Sequence, residues 1–202
     1  MRRLSFLMCL AILLLCSAVA AQPNPDQDQI CIWFEETDGN CRQAESFVIV
    51  TAFLVLENIS EPSGISGWEC SIEIGNDPSS FIVLAWTCLA GNPSGIWTPP
   101  DFAVGIGEPI PWAPRIFLLQ IDLLTFSPAP IYFWIHEYQL SPLAPWPAYA
   151  AGDDPLRIVQ LFNCTGYSAA GDPNPAGCVN CACEEVIGIE SQSWGLLKSL
   201  YR

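Results

Sequence analysis

The apolar positions of this chain recur mainly every second residue. In GISGWECSIEI (64–74), Trp68, Cys70, Ile72 and Ile74 fall on one face and Glu69, Ser71 and Glu73 on the other, the alternation of a half-buried antiparallel strand. FIVLAWTCLA (81–90) follows across the turn signal GNDPSS and is its expected hairpin partner. Upstream, ICIWF (30–34) reads as a strand. The run from Phe47 to Leu56 is continuously apolar and rich in Val, Ile, Phe and Thr, which suits a central strand covered on both sides. Downstream, RIFLLQIDLLTF (115–126) puts Phe117, Leu119, Ile121 and Leu123 on one face, and IYFWIHEYQL (131–140) is expected to pair with it across SPAP. LRIVQLF (156–162) is the last clear strand, and no stretch before residue 190 sustains a 3.6-residue period.

Two proline-rich stretches interrupt this pattern. In GNPSGIWTPPDFAVGIGEPIPWAP only DFAVGIG has a strand pattern; proline, lacking an N–H and fixed in φ, confines the rest, and SPLAPWPAYAAGDDP, to loops and edges. Roughly seven or eight short strands with no helix among them predict an all-β, antiparallel β-sandwich. A β-barrel is the alternative, disfavoured because barrels space their strands more evenly. Trp68, Cys70, Ile72, Phe53, Phe117, Ile121 and Phe133 are expected in the core.

The ends differ from the body. MRRLSFLMCLAILLLCSAVAAQ has two arginines, a short apolar run and an Ala-x-Ala site, the plan of a secretory signal peptide. Its apolar run falls short of the ~20 residues that cross a bilayer. Leu15 stands where lipidation of Cys16 would need a small residue, so a soluble exported product is preferred. The expected organisation is a signal peptide at 1–21, a flexible lead-in at 22–29, a sandwich at 30–163, a cysteine-rich segment at 164–189 and a tail at 190–202.

Composition adds exclusions. Loss of Arg2 and Arg3 with the leader makes a formal net charge of −14 more negative still. Arg42, Arg115, Arg157, Lys198 and Arg202 are too scattered to track phosphates, which argues against nucleic-acid partners and anionic membrane surfaces. An apolar content of 51% suffices for a sizeable core.

VIVTAFLVLENISEPSGISGWECSIEI and PPDFAVGIGEPIPWAPRIFLLQIDLL resemble segments of a group of uncharacterised exported β-sandwich proteins from uncultured bacteria. Their tails end in Ser/Thr, Trp, Gly, any residue, an aliphatic, Lys, two residues, an aromatic and a base. Ser193, Trp194, Gly195, Leu197, Lys198, Tyr201 and Arg202 meet that pattern. More distantly, the strand order is similar to cohesin-like and immunoglobulin-like sandwiches. The resemblance implies fold and export, and no activity.

Outside the leader, which takes Cys9 and Cys16, the chain has Cys31, Cys41, Cys70, Cys88, Cys164, Cys178, Cys181 and Cys183. An even number in an exported chain reads as disulfides, with connectivity open. The expected pairs are Cys70–Cys88, facing across the hairpin, and Cys31–Cys41, flanking the Asp38-Gly39 turn signal. Cys164, Cys178, Cys181 and Cys183 then pair among themselves. The same four are also donors for a zinc site, but an oxidising compartment favours disulfides over metal.

Candidate chemistry is sparse. His136 is the only histidine, on the face of Tyr132 and Trp134; with no Gly-x-Ser-x-Gly elbow and no second histidine, it reads as a surface residue. Glu35-Glu36 and Glu184-Glu185 diverge in extended chain, and Glu69 and Glu73 stand too far apart for a retaining glycosidase pair. Asp153 and Asp154, in a loop, are weak calcium candidates, and no other cofactor is implied. Trp97, Trp112, Trp146 and Tyr149, in proline-rich loops, are candidates for an aromatic ligand platform, against the plainer reading that such rings pin loops. Asn58 and Asn163 match the glycosylation pattern.

In ESQSWGLLKSLYR (190–202), Trp194, Leu197 and Leu200 or Tyr201 have helical spacing, so a short amphipathic C-terminal helix is expected. It either docks on its own sandwich or serves sorting machinery. The functional expectation is a non-enzymatic, disulfide-stabilised secreted or cell-surface protein for adhesion, scaffolding or ligand binding, its partner a surface glycan or an extracellular protein. The alternative is a secreted carbohydrate-active enzyme.

Overall fold

A computed structural model describes residues 27–34, 39–140, 145–164 and 175–181. Along these residues run β1 (Gln29–Phe34), β2 (Cys41–Arg42), β3 (Ile49–Glu57), β4 (Ile65–Asn76), β5 (Phe81–Cys88), β6 (Pro93–Thr98), β7 (Asp101–Ile110), β8 (Arg115–Thr125), β9 (Ile131–His136), β10 (Ala148–Ala151), β11 (Ile158–Gln160), β12 (Phe162–Asn163) and β13 (Gly177–Val179). The expected signal peptide, most of the expected lead-in, Glu35, Glu36, Cys183, Glu184, Glu185 and the C-terminal stretch 190–202, where a helix is expected, lie outside the described residues.

The strands form two open sheets, an all-β sandwich. One has the order β12-β1-β3-β8-β5; the other has the path β11-β10-β4-β9-β13-β2, with β7 and then β6 beside β4. Most pairs are antiparallel, but β1–β12 and β13–β2 are parallel. In β4, Glu69 pairs with both Ala103 and Ala148, and Ser71 with both Asp101 and His136. So β7 holds one edge of β4, while β9 and β10 follow each other along the opposite edge as one strand interrupted by a loop.

Inward side chains of both sheets make one core. Ile30, Ile32, Phe34, Val50, Leu54, Ile121 and Leu123 meet Trp68, Cys70, Ile72, Phe102, Val104 and Phe133. Two aromatic contacts cross between sheets: Phe34 packs edge-on to Phe133 at 5.6 Å, and Trp86 tilts against Phe102 at 5.5 Å. Trp68 stacks on Phe102 at 5.6 Å from the neighbouring strand. Such rings contribute most of the buried area per residue.

Several expected pairings are corrected. The β4–β5 connection is not a hairpin: β5 pairs with β8 in the five-stranded sheet. Asp77 shapes the turn, its carboxylate accepting from Ser79 N at 2.9 Å and Ser79 Oγ at 2.7 Å. The chain crosses between sheets there, which lets the apolar faces of β4 and β5 point at each other. Nor does β9 pair with β8; it pairs with β4 and β13. The stretch before Asp101 also forms β6, an outer strand whose one proline, Pro93, sits at its first position.

Phe53 and Phe117 are only partly buried, edge to face at 5.5 Å, and are absent from the core. Val55 opposes Phe117 and Leu54 opposes Leu119, so Leu118 is the extra residue of a β-bulge. One inserted residue reverses parity along the strand, sending Phe117 outward while Leu119, Ile121 and Leu123 stay inside.

Candidate functional site

The outer face of the eight-stranded sheet is built from small residues. Because Trp68, Cys70 and Ile72 face the core, Gly67, Glu69 and Ser71 face out; likewise Ala103 and Gly105 alternate with buried Phe102 and Val104. Register then aligns Gly105, Gly67, Ala150 and Ile158 across four strands, and beside them Ala103, Glu69, Ala148 and Gln160. With so few side chains standing up, a groove of about 270 Å³ opens over β7, β4 and β10, its wall completed by Ser66, Pro155 and Ile158. Gly67 is required here: a Cβ would lie 2.8 Å from the Val104 carbonyl oxygen, a backbone atom with nowhere to go.

Further along β4 the same face turns aromatic. Trp134 folds over Gly75, where a Cβ would come within 2.6 Å of the indole, and Tyr132 lies 5.7 Å from Trp134 between ring centres. His136 is on this face, as its place beside Tyr132 and Trp134 implied. Its Nε2 is 3.4 Å from a Glu73 carboxylate oxygen but off the line of a hydrogen bond. Ser71 stands opposite it in register, and no group of three or more His, Cys, Asp or Glu that could hold a metal occurs among the described residues.

The expected aromatic platform does not assemble. Tyr149 is 1% exposed; its hydroxyl donates to Asp28 Oδ1 at 2.6 Å, and that carboxylate also accepts from Ser60 N at 2.7 Å. Burial, and then the bond to Asp28, push the Tyr149 phenol well above its ordinary range. It ties the start of β1 and the β3–β4 loop to β10, a structural knot. Trp97 sits opposite Phe102 near the start of β7, and Trp112 follows Ile110 at its end, so their backbones are roughly 26 Å apart at strand rise. Trp112 is half exposed and pinned by Nε1 donating to Ile59 O at 3.1 Å; Trp146 is half-buried before β10.

Asp153 and Asp154 are engaged by protein groups. Asp153 Oδ1 accepts from Ser63 Oγ at 2.8 Å and from Arg157 Nη2 at 2.6 Å, while Asp154 Oδ1 accepts from Leu156 N at 3.0 Å. A guanidinium on the carboxylate is the opposite of what a cation needs. Asn163 is 1% exposed and leaves no room for a glycan, whereas Asn58 is exposed.

The cysteines also regroup. Cys178 and Cys181 form a disulfide, and Cys41, itself disulfide-bonded, lies 3.6 Å from Cys181 Sγ. Cys31, Cys70, Cys88 and Cys164 are free thiols, so neither Cys31–Cys41 nor Cys70–Cys88 is formed, and Cys164 does not join the C-terminal group. Cys70 and Cys88 belong to different sheets, and β2 pairs with β13, setting Cys41 opposite Cys178.

Sequence reasoning missed the groove because it searched for side chains that do chemistry, and the groove is made by their absence. The signal was present in Gly and Ala at alternate positions of strand-like runs, at 103 and 105 and at 148 and 150. A second surface went unnoticed: Ile49, Leu124 and Ile82 align across β3, β8 and β5. Ile49, Ile82, Leu84 and the nearby Phe47 are 57%, 50%, 50% and 74% exposed.

No protein-family model matches the chain, and no curated protein matches it. Among solved structures, it is similar to a type II cohesin domain from the cellulosome of Acetivibrio cellulolyticus (15% identity, 76% of this chain, 95% of that one, TM-score 0.48). It is also similar to the type II cohesin dyad of the ScaA scaffoldin of the same organism (12%, 78% of this chain, TM-score 0.49), of which it spans about half the length, 49%. A third is a type I cohesin–dockerin complex from Clostridium thermocellum (15%, 66% and 94%, TM-score 0.43). Among the described residues, no helix is long and apolar enough to cross a membrane.

Proposed function

We propose that this chain is a non-enzymatic recognition module, exported to the cell surface or beyond, which docks an extracellular protein on the outer face of its eight-stranded sheet. The observation that supports this is the groove floored by Gly67, Ala103, Gly105, Ala148 and Ala150. Small residues let a partner's side chains approach the sheet backbone closely, and a largely apolar lining rewards desolvation. Glu69 at the floor and Glu73 and His136 beyond it supply polar groups for orientation. Adhesion and scaffolding are the roles that such a face serves; a surface glycan is the other ligand class, with Trp134 and Tyr132 as its stacking rings.

The test is a photo-cross-linking residue placed at Ala150, compared with one at Phe53 on the opposite outer face, in cultures of the source organism. A protein adduct confined to position 150 is expected. Adducts at both positions or neither would overturn the docking face, and polysaccharide hydrolysis by the purified chain would favour the carbohydrate-active enzyme instead.

A further inference from the structure

Two of the free thiols belong together. Strands β1 and β12 run parallel with Gln29 opposite Phe162 and Ile30 opposite Asn163, so the next pair in register is Cys31 and Cys164. Cys164 N donates to Ile30 O at 3.2 Å, which carries the pairing to that position. Neighbours on adjacent strands are about 4.8 Å apart, inside the Cα separation that a disulfide spans. Both thiols line one cavity of about 250 Å³, together with Trp33, Asn40 and Glu57. Cys31 is fully buried and Cys164 half-buried.

We propose that Cys31 and Cys164 form a disulfide that closes the first sandwich strand onto the last strand of its sheet. The Cys164 thiolate attacks one sulfur of an external disulfide such as oxidised glutathione, releasing a glutathione thiolate and leaving a mixed disulfide. The Cys31 thiolate then attacks Cys164 Sγ and releases the second glutathione. Two protein thiols are oxidised, one disulfide is reduced to two thiols, and the two protons go to the released thiolates. Burial, with Cys164 and the Glu57 carboxylate beside it, pushes the Cys31 thiol well above its ordinary range. The second step is therefore slow in the folded chain, and the bond closes mainly as the chain folds.

The bond bridges roughly 130 residues of chain, and a cross-link restricts the unfolded state more the longer the loop it closes. That gives the short β12, two residues long, a covalent anchor. It also leaves Cys70 and Cys88 as the thiols held in different sheets.

The purified full chain is refolded in a glutathione redox buffer, digested without reduction, and mapped by mass spectrometry. A linked peptide pair containing Cys31 and Cys164 is expected. Cys164→Ser should lower the melting temperature by about 10 °C, with no further drop in the Cys31→Ser/Cys164→Ser double variant. Alkylated thiols at both positions, or either cysteine linked elsewhere, would overturn the pairing; the wild-type map stands even if a variant fails to fold. The pairing rests on export only for its oxidant. In redox buffer it is tested without export, whereas failure of export appears separately as retention of the chain inside the cell.

Discussion

The two outer faces of the sandwich are built by the same alternation and finished differently. On the five-stranded sheet, Arg115 lies over the Trp33 ring at 3.8 Å, its Nε donates to Glu57 at 2.7 Å, and Phe53 and Phe117 meet beside it. That part of the surface is covered by its own side chains. On the eight-stranded sheet, glycine and alanine occupy the equivalent outward positions over β7, β4 and β10, and the backbone is left open to a groove. Rings joined to a charge pair stabilise a sheet from within, whereas small residues contribute little stability and leave space. The difference separates a surface covered by its own side chains from one that leaves its backbone open.

Substitutions break that contrast in graded ways. The largest effect is expected from Phe102→Ala, which removes the ring touched by Trp68 and Trp86 beneath the groove; denaturant unfolding should show a loss of about 3–5 kcal/mol. Gly67→Val should cost about 2–3 kcal/mol by the same measurement, because its Cβ meets the Val104 carbonyl and the strands must separate. On the covered face, Trp33→Ala should cost about 1–2 kcal/mol and leave partner cross-linking at position 150 unchanged. Ala150→Trp should change stability by less than about 0.5 kcal/mol while abolishing capture of the partner. A stability loss there equal to that of Trp33→Ala would make the groove a structural surface.

A pH series sharpens the contrast at the Tyr149 knot, buried below the groove. The phenol's pKa is raised on folding, so its contribution is fully present below its ordinary value of 10.0 and is lost as the pH rises beyond it. Cys70, buried and likewise raised from 9.0, weakens the fold over an overlapping range. Tyr149→Phe should therefore flatten, but not abolish, the alkaline loss of stability followed by circular dichroism.

Much of this architecture was legible in the chain. The inward set Trp68, Cys70, Ile72 and the outward His136, Tyr132 and Trp134 follow from alternation, and the structure places them so. Phe117 shows where that reading stops, because a bulge at Leu118 reverses parity and no local residue pattern marks it. The candidate site was less legible. Trp112 and Trp146 stood out in the sequence, yet one is pinned to Ile59 and the other half-buried, while the groove depends on Ala103, Gly105, Ala148 and Ala150, which attract no notice singly.

The sequence by itself determined that the chain is all-β and which face of most strands is apolar, since these depend on neighbours one or two residues away. Only the tertiary structure decided that β5 joins β8, that β9 and β10 share one edge of β4, and that Cys31 meets Cys164. Strand partners are chosen by the burial of whole faces against each other across long chain separations, and a turn such as Asp77–Ser80 permits a crossing between sheets as readily as a hairpin. Local periodicity says which way a side chain points, and the packed sheets decide what it meets.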